Sequence, residues 1–349
     1  MAAVFGWDSY SMSPRDPPVS VQLVEERIGT SVAFDDGDGR LFVGDSVGHI
    51  STELDPNSEG SESWTHVKAH NSALHSLCHL RGRLWSGSSD DIKIWSFLES
   101  EGQFNPTGSV TFKETEIPNK RQISALNTNC LAVHVKSDKV LSASESGVLC
   151  SWDAETGSLS SSFNEPDEVA ICSTTYFDAN SAFTGSDSGM IRLWDLRERK
   201  HVKVFEPWRN AKMPRAQWIS GVAVDESEIF LASTDGNKSL VVFHVGSGTV
   251  LGTSQLKETP RTVSFLGEKI LVGTSDSKGS IPAFNLEAKA AKPKFESTLR
   301  SVYGLAVRRT QQMIMAATGD AKVRGKNRPI IDVYNGSTRP SVSMACAAN

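Results

Sequence analysis

His75 and His79 flank Cys78 in Leu74-His-Ser-Leu-Cys-His-Leu80, a grouping of imidazole and thiol that invites a metal ion. The spacing argues against it. In an extended segment residues 75, 77 and 79 face one way and residue 78 the other. The two imidazoles would also stand roughly 13 Å apart at about 3.3 Å per residue, too far for one ion. Asp35, Asp36 and Asp38 in FDDGDGR resemble the start of a calcium loop. Arg40 falls where a ligand should be, however, and no closing Glu follows at the required spacing. A polar hairpin turn is the expectation. The chain contains no P-loop, no dinucleotide glycine fingerprint and no G-x-S-x-G elbow. We therefore expect no enzymatic activity, no cofactor and no metal.

Two other groups of residues suit binding rather than reaction. The first is Glu206 to Trp218 (EPWRNAKMPRAQW), where Trp208 and Trp218 stand among Arg209, Lys212 and Arg215. Trp and Arg are favoured interface anchors, and loops on a rigid scaffold carry many binding sites. The plainer reading is that one Trp packs inward and the rest is solvated loop. The second is a basic stretch near the C-terminus, with Arg308, Arg309, Lys322, Arg324, Lys326 and Arg328 opposed by few acids. Such a rim would meet RNA or an acidic protein segment. A solvated AKVRGKNR loop explains much of it, and the stretch shows no aromatic stacking platform for reading RNA sequence.

The elements that would hold these residues follow from one segment, Thr184-Gly-Ser-Asp-Ser-Gly-Met-Ile-Arg-Leu-Trp-Asp195. It reads as a hairpin: a small-residue strand end, a tight turn, and an alternating strand closing on Trp-Asp. Fainter copies recur, giving seven units at 31–54, 69–95, 131–153, 168–195, 219–244, 262–285 and 302–335. A repeat of this kind is the mark of a WD40 blade. Stacked blades cover both faces of each small sheet and leave only short edges. The expected fold is all-β, a seven-bladed WD40 β-propeller over residues 19–346, with a flexible segment at 1–18 and a tail at 347–349.

Pro282 lies inside the last strand of the sixth unit and should make it irregular, since proline donates nothing to a ladder. The outer strand of the last blade comes either from 19–26 or from 341–346, and the alternating Val342, Met344 and Cys346 favour the latter. His70, Ser86 and Trp95 are expected to make three corners of a buried polar network. Trp152 and Trp194 take the same structural place, but Ser146 and Ser188 stand in their turns instead of Asp. Apolar packing is expected to supply most of the stability.

Composition agrees with a binding platform. The 349 residues are 38% hydrophobic and carry a net charge of −5, with no global bias toward nucleic acid. Five scattered cysteines without a C-x-x-C pair suit a reducing compartment. The first twenty residues have no apolar h-region and no stretch is long enough to span a bilayer, so a soluble intracellular protein is expected.

The order of several segments resembles the family of THO complex subunit 6. These are AHNSALHSLCHLRGRLWSGSSDDIKIW with its shortened turn, GSDSGMIRLWDLR followed by the insert ending in Trp218-Ile-Ser-Gly, Thr262-Val-Ser-Phe leading into Glu268-Lys-Ile-Leu-Val-Gly, and Ile331-Asp-Val-Tyr ahead of Arg339-Pro-Ser-Val-Ser. The resemblance covers roughly residues 65 to 346; the length of the basic AKVRGKNR insertion departs from it. It implies a nuclear, non-catalytic scaffold subunit that docks on the coiled-coil subunits of the THO complex and acts in mRNA processing and export. RNA contact would be indirect or weak, with no membrane and no small-molecule substrate. A rival from another class rests on Trp194-Asp195-Leu196-Arg197, which fits the W-D-x-R box of cullin-4 ligase substrate receptors. Arg after Trp-Asp often just pairs locally. A generic protein-interaction platform is the remaining alternative.

Overall fold

A computed structural model describes residues 27–35, 40–53, 64–89, 91–98, 103–110, 128–134, 138–164, 170–211, 218–276, 280–292, 294–308, 314–323, 326–335, 338–340 and 342–345. Nearly all of them lie in antiparallel sheets. Four strands in chain order make the first sheet: β1 (Gly29–Phe34), β2 (Leu41–Asp45), β3 (His49–Glu53) and β4 (Trp64–Lys68). The same order repeats in β5 (Leu74–Leu80), β6 (Arg83–Ser88), β7 (Ile92–Leu98) and β8 (Gln103–Val110), and in β9 (Thr128–His134), β10 (Lys139–Ser144), β11 (Val148–Asp153) and β12 (Leu159–Asn164). The fourth sheet holds β13 (Ile171–Asp178), β14 (Ser181–Ser186), β15 (Ile191–Asp195) and β16 (Lys200–Phe205). A short helix, α1 (Pro207–Ala211), leads to the fifth: β17 (Ile219–Val224), β18 (Phe230–Asp235), β19 (Ser239–His244) and β20 (Val250–Gln255).

The sixth unit is irregular. It holds β21 (Pro260–Leu266), β22 (Lys269–Thr274), β23 (Ser280–Ile281), β24 (Ala283–Phe284) and β25 (Phe295–Glu296). Pro282 is where its third strand breaks, β24 pairing with β22 while β23 turns to β25. The proline carbonyl still accepts from Val272 N at 3.1 Å, so only the donor side of the ladder is lost. The last sheet holds β26 (Ser301–Arg308), β27 (Ile314–Val323), β28 (Lys326–Asn335) and β29 (Val342–Ala345). Its outer strand is the C-terminal β29, paired with β28 from Val333↔Val342 to Ile330↔Ala345; residues 19–26 lie outside the described residues.

The second strand of each sheet explains the stacking. LFVGD in β2, RLWSGS in β6, KVLSAS in β10, SAFTGS in β14 and KILVGT in β22 are buried along almost their whole length. Such strands are covered on both faces, and their small residues let the next sheet close in. A Cβ on Gly185 would stand 2.5 Å from Ile219 Cγ2, and one on Gly273 2.8 Å from Val302 Cγ1. One apolar cluster fills each seam. Trp85, Ile94, Cys150 and Trp152 join the second sheet to the third, and Phe183, Phe205, Ile219 and Phe243 the fourth to the fifth. Val32, Leu41 and Val43 of the first sheet meet Ala316, Ile331 and Val333 of the last.

The first strands share a further feature. β1, β5, β9, β13, β17 and β21 each slip register at their second residue, at Thr30, His75, Asn129, Cys172, Ser220 and Arg261, and β26 at its third, Tyr303. A bulge re-aims the extra side chain and sharpens the local twist. Because these strands pack side by side in sequence, the bulges gather at one end of the stack, here called the strand-start end.

Polar networks fasten the second, third and fourth sheets from within. Trp95 Nε1 donates to Ser86 Oγ at 2.9 Å, His70 Nε2 meets the same oxygen at 2.7 Å, and His70 Nδ1 meets Asp91 Oδ1 at 2.7 Å. Among the described residues the tryptophan leg alone recurs: Trp152 Nε1 to Ser142 Oγ and Trp194 Nε1 to Thr184 Oγ1, both 2.9 Å. In those turns a hydroxyl pair, Ser144 with Ser146 and Ser186 with Ser188, stands in for the aspartate. Ser86→Ala removes the partner of two buried groups at once and is expected to lower stability by about 2–3 kcal/mol. Ser142→Ala strands only one, at about 1 kcal/mol. Urea unfolding of both variants checks the ranking; equal losses would mean that the His70–Asp91 arm adds nothing.

Candidate interaction surface

The hairpin of β14 and β15 positions Trp194, Asp195 and Arg197. Trp194 is only 2% exposed and packs against Phe163 and edge-on to His201, so its indole serves the interior. It offers a partner no surface of its own; it fixes the turn that follows. Asp195 accepts from Arg197 N at 2.9 Å, Arg197 Nη2 at 2.8 Å and Arg197 Nε at 3.2 Å. The guanidinium and the turn amides hold the Asp195 carboxyl well below the usual carboxylate range. Arg197 is thus engaged locally, although its side chain is 68% exposed.

The insert begins where β16 ends. Glu206 pairs with Arg209 Nη1 at 2.6 Å across the first turn of α1, and Pro207 is buried. Trp208 is half-buried and Arg209 exposed, while α1 leans on β20 of the next sheet. The chain re-enters at Trp218, 38% exposed. Its carbonyl accepts from Gly236 N at 2.9 Å and its indole lies across Gly236, where a Cβ would come within 2.8 Å of the ring. Asp235 braces that turn by accepting from Asn237 N and Ser239 N, both at 3.0 Å, and burial pushes its carboxyl above the ordinary value. Lys212 and Arg215 lie outside the described residues.

These residues do not form one patch. Ile219 pairs with Asp235, which puts Trp218 at the strand-start end. Asp195 pairs with Ser181, at the other end of β14 from Gly185, which touches Ile219. Arg197 and Trp218 are therefore on opposite ends, separated by a strand length of roughly 15 Å.

The basic rim divides in the same way. Arg308 pairs with Ile314 at the far end of β26, whereas Lys322, Lys326 and Arg328 lie beyond the opposite end. Arg309 and Arg324 fall outside the described residues. The segment read as a solvated AKVRGKNR loop is instead a continuation of the β27–β28 ladder, paired through Ala321↔Arg328, Lys322↔Asn327 and Val323↔Lys326. The register set by apolar residues from Ile314 to Gly319 carries the polar residues along.

His75, His79 and Cys78 have different surroundings. His75 is exposed and contacts Ser89 Oγ at 3.0 Å. His79 is buried, stacked on Phe42 and 3.1 Å from Asp35 Oδ2, and Cys78 is buried in another cluster. Burial pushes the Cys78 thiol up from its ordinary value. No group of three His, Cys, Asp or Glu positioned for a metal occurs among the described residues; Asp36 and Asp38 lie outside them. No helix among the described residues is long and apolar enough to cross a membrane.

One residue passed over in the sequence is Asp332, fully buried in β28. It accepts from Ser297 Oγ (2.8 Å), Thr298 N (2.7 Å), Thr298 Oγ1 (2.5 Å) and Ser343 Oγ (2.7 Å), with Tyr334 Oη at 3.4 Å. The carboxylate ties the connector ahead of β26 to β28 and β29 of the last sheet. An acid framed by Ile330, Ile331, Val333 and Tyr334 was the available signal.

No protein-family profile matches the chain. It is 22% identical over 206 residues to the THO complex subunit 6 homolog of Mus musculus, covering 58% of each chain. It is 21% identical over 246 residues to THO complex subunit 6 of Homo sapiens, covering 70% of each. WD repeat-containing protein 55 of Bos taurus is 26% identical over 205 residues, 57% of this chain and 51% of the relative. The matches thus span 58 to 70% of these two THO subunits.

Proposed function

We propose that this WD-repeat chain, similar to THO complex subunit 6, is a non-catalytic scaffold subunit of a nuclear THO-like complex acting in mRNA processing and export. The observation that carries the reading is the similarity itself, which extends over 70% of the chain. In this reading the sheets close into a single seven-bladed WD40 propeller over residues 19–346. The apolar cluster shared by the first and last sheets supports closure by packing. Its partners are other protein subunits, coiled-coil ones by resemblance, and the insert carrying Trp208 and Trp218 is their anchor. Any RNA contact made through partners would be secondary.

Affinity purification of the tagged chain from nuclear extract, read by mass spectrometry, tests this reading. Enrichment of THO subunits is expected. Enrichment of a cullin-4 adaptor instead, lost in Arg197→Ala, would replace it with the ligase-receptor reading. Recovery of neither would remove both.

A further inference from the structure

The cations at the two ends of the sheets are held differently. At the end opposite the strand starts, Arg81 pairs with Asp138, Arg197 with Asp195, Lys200 with Glu198 and Lys289 with Glu287. At the strand-start end of the last three sheets, Lys257, Arg261 and Arg300 are exposed, and no acid among the described residues pairs with any of them. The acids of the same segments, Asp235, Glu258, Asp276 and Asp320, are buried or half-buried. Among the described residues of these segments every exposed charge is therefore positive.

These cations lie along one continuous path. It starts at Trp218, exposed and resting on Gly236. From that turn Lys238 Nζ donates to Lys257 O at 3.1 Å, which ties the turn to the connector ahead of β21. The connector leads to Arg261, the bulged residue of β21, whose guanidinium lies 5.7 Å from the centroid of the Tyr303 ring. Tyr303 is the bulged residue of β26, and Arg300 stands just before that strand. β17, β21 and β26 pack side by side, so the path crosses two seams. At about 10 Å per seam it spans about 20 Å, the reach of about six extended residues.

We propose that this path docks an extended acidic segment of a protein partner, with a carboxylate clasped by Arg261 and an apolar side chain seated on Trp218. The Tyr303 ring under the guanidinium fixes its plane and leaves the N–H edge for a bidentate carboxylate. Lys257 and Arg300 flank that position and take further carboxylates. An exposed tryptophan supplies the apolar anchor that charge alone lacks. Nucleic acid suits the surface less well, because a chain of net charge −5 repels a long polyanion, whereas a short acidic segment feels mainly the cations within a Debye length. The inference rests on the scaffold reading for Trp218 as an anchor and deepens it by naming the chemistry of the segment that docks there.

The test is to pan a phage-displayed library of random dodecapeptides against the immobilised full chain, then to measure synthetic copies of the enriched peptides by fluorescence anisotropy. Enriched peptides should be acidic and carry an aromatic or leucine side chain. Their affinity should fall at least about tenfold with Arg261→Glu, as for a central interface arginine. Arg261→Lys keeps the charge but loses the fork, so a loss of about threefold is expected. Arg197→Glu, at the opposite end, should change nothing, and added salt should weaken binding throughout. Circular dichroism melts check that each variant is folded; if Arg261→Glu melts early, Arg261→Lys and Lys257→Ala carry the comparison. The proposal is overturned by no enrichment, by enriched peptides that are neutral or basic, by binding that the Arg261 and Lys257 variants leave unchanged, or by a single-stranded RNA dodecamer that binds more tightly than the peptides. Display needs no other subunit. Acidic peptides bound without capture of THO subunits would remove the scaffold reading alone, and THO capture by a chain that enriches no acidic peptide would remove this proposal alone.

Discussion

Replacing Asp332 by alanine is expected to lower stability by about 3–4 kcal/mol, the largest single-residue loss among the positions considered. The carboxylate is fully buried and serves one backbone amide and four hydroxyls. Hydrogen bonds to charged groups contribute about 1.5–3 kcal/mol each, and stranded buried donors cost more than the bonds they lose. The hydroxyls can rotate to new partners, but the Thr298 amide cannot. Asp332→Asn should therefore be milder, at about 1–2 kcal/mol, because the amide oxygen can still face Thr298 N while the hydroxyls turn to accept. Urea midpoints measure the global loss, and hydrogen exchange should show β29 losing protection first. A loss below 1 kcal/mol for alanine would mean that the connector is held by packing alone.

The second large effect concerns assembly. If the proposed assembly role holds and Trp218 is its anchor, Trp218→Ala is expected to weaken capture of THO subunits by roughly 30-fold, about 2 kcal/mol. Stability should hardly change, since the indole is 38% exposed and rests on Gly236 rather than in a core cluster. Arg197→Ala, at the opposite end and paired with its own Asp195, should leave capture intact. Quantitative pull-down with matched melts separates the two ends. The reverse ranking would move the interface to the Asp195 turn.

Much of the fold was legible because the inner three strands of each unit carry strong patterns. Runs such as KVLSAS and VLCSWD are buried on both faces, and small residues mark where neighbouring sheets touch. The outer strands gave little signal. LSSSFN, KHVKVF and VLGTSQ face solvent on one side and pair on one edge, so neither hydrophobic alternation nor burial singles them out. The AKVRGKNR segment reads as a loop for a related reason: lysine, arginine, asparagine and Pro329 disfavour strands locally. A register fixed by distant apolar residues overrides that preference. The bulges left no mark in the sequence, since what they need is a position rather than a residue type.

For the candidate site, the tryptophans were visible but their division between two ends was not. Residue type indicates an anchor; only the pairing of Ile219 with Asp235, and of Asp195 with Ser181, shows which end each occupies. Asp91 closes the His70 network four positions before Trp95 because the turn is short. Asp332 is one of the few acids opposing the basic stretch, and its apolar neighbours Ile330, Ile331, Val333 and Tyr334 are what place it inside.

The most direct measurement of the central claim is size-exclusion chromatography with light scattering of the purified chain mixed with a purified core of THO subunits. Co-elution in a single complex at a fixed ratio, lost with Trp218→Ala and retained with Arg197→Ala, is the predicted result. Elution of the unaltered chain as a separate peak at micromolar concentration would contradict it.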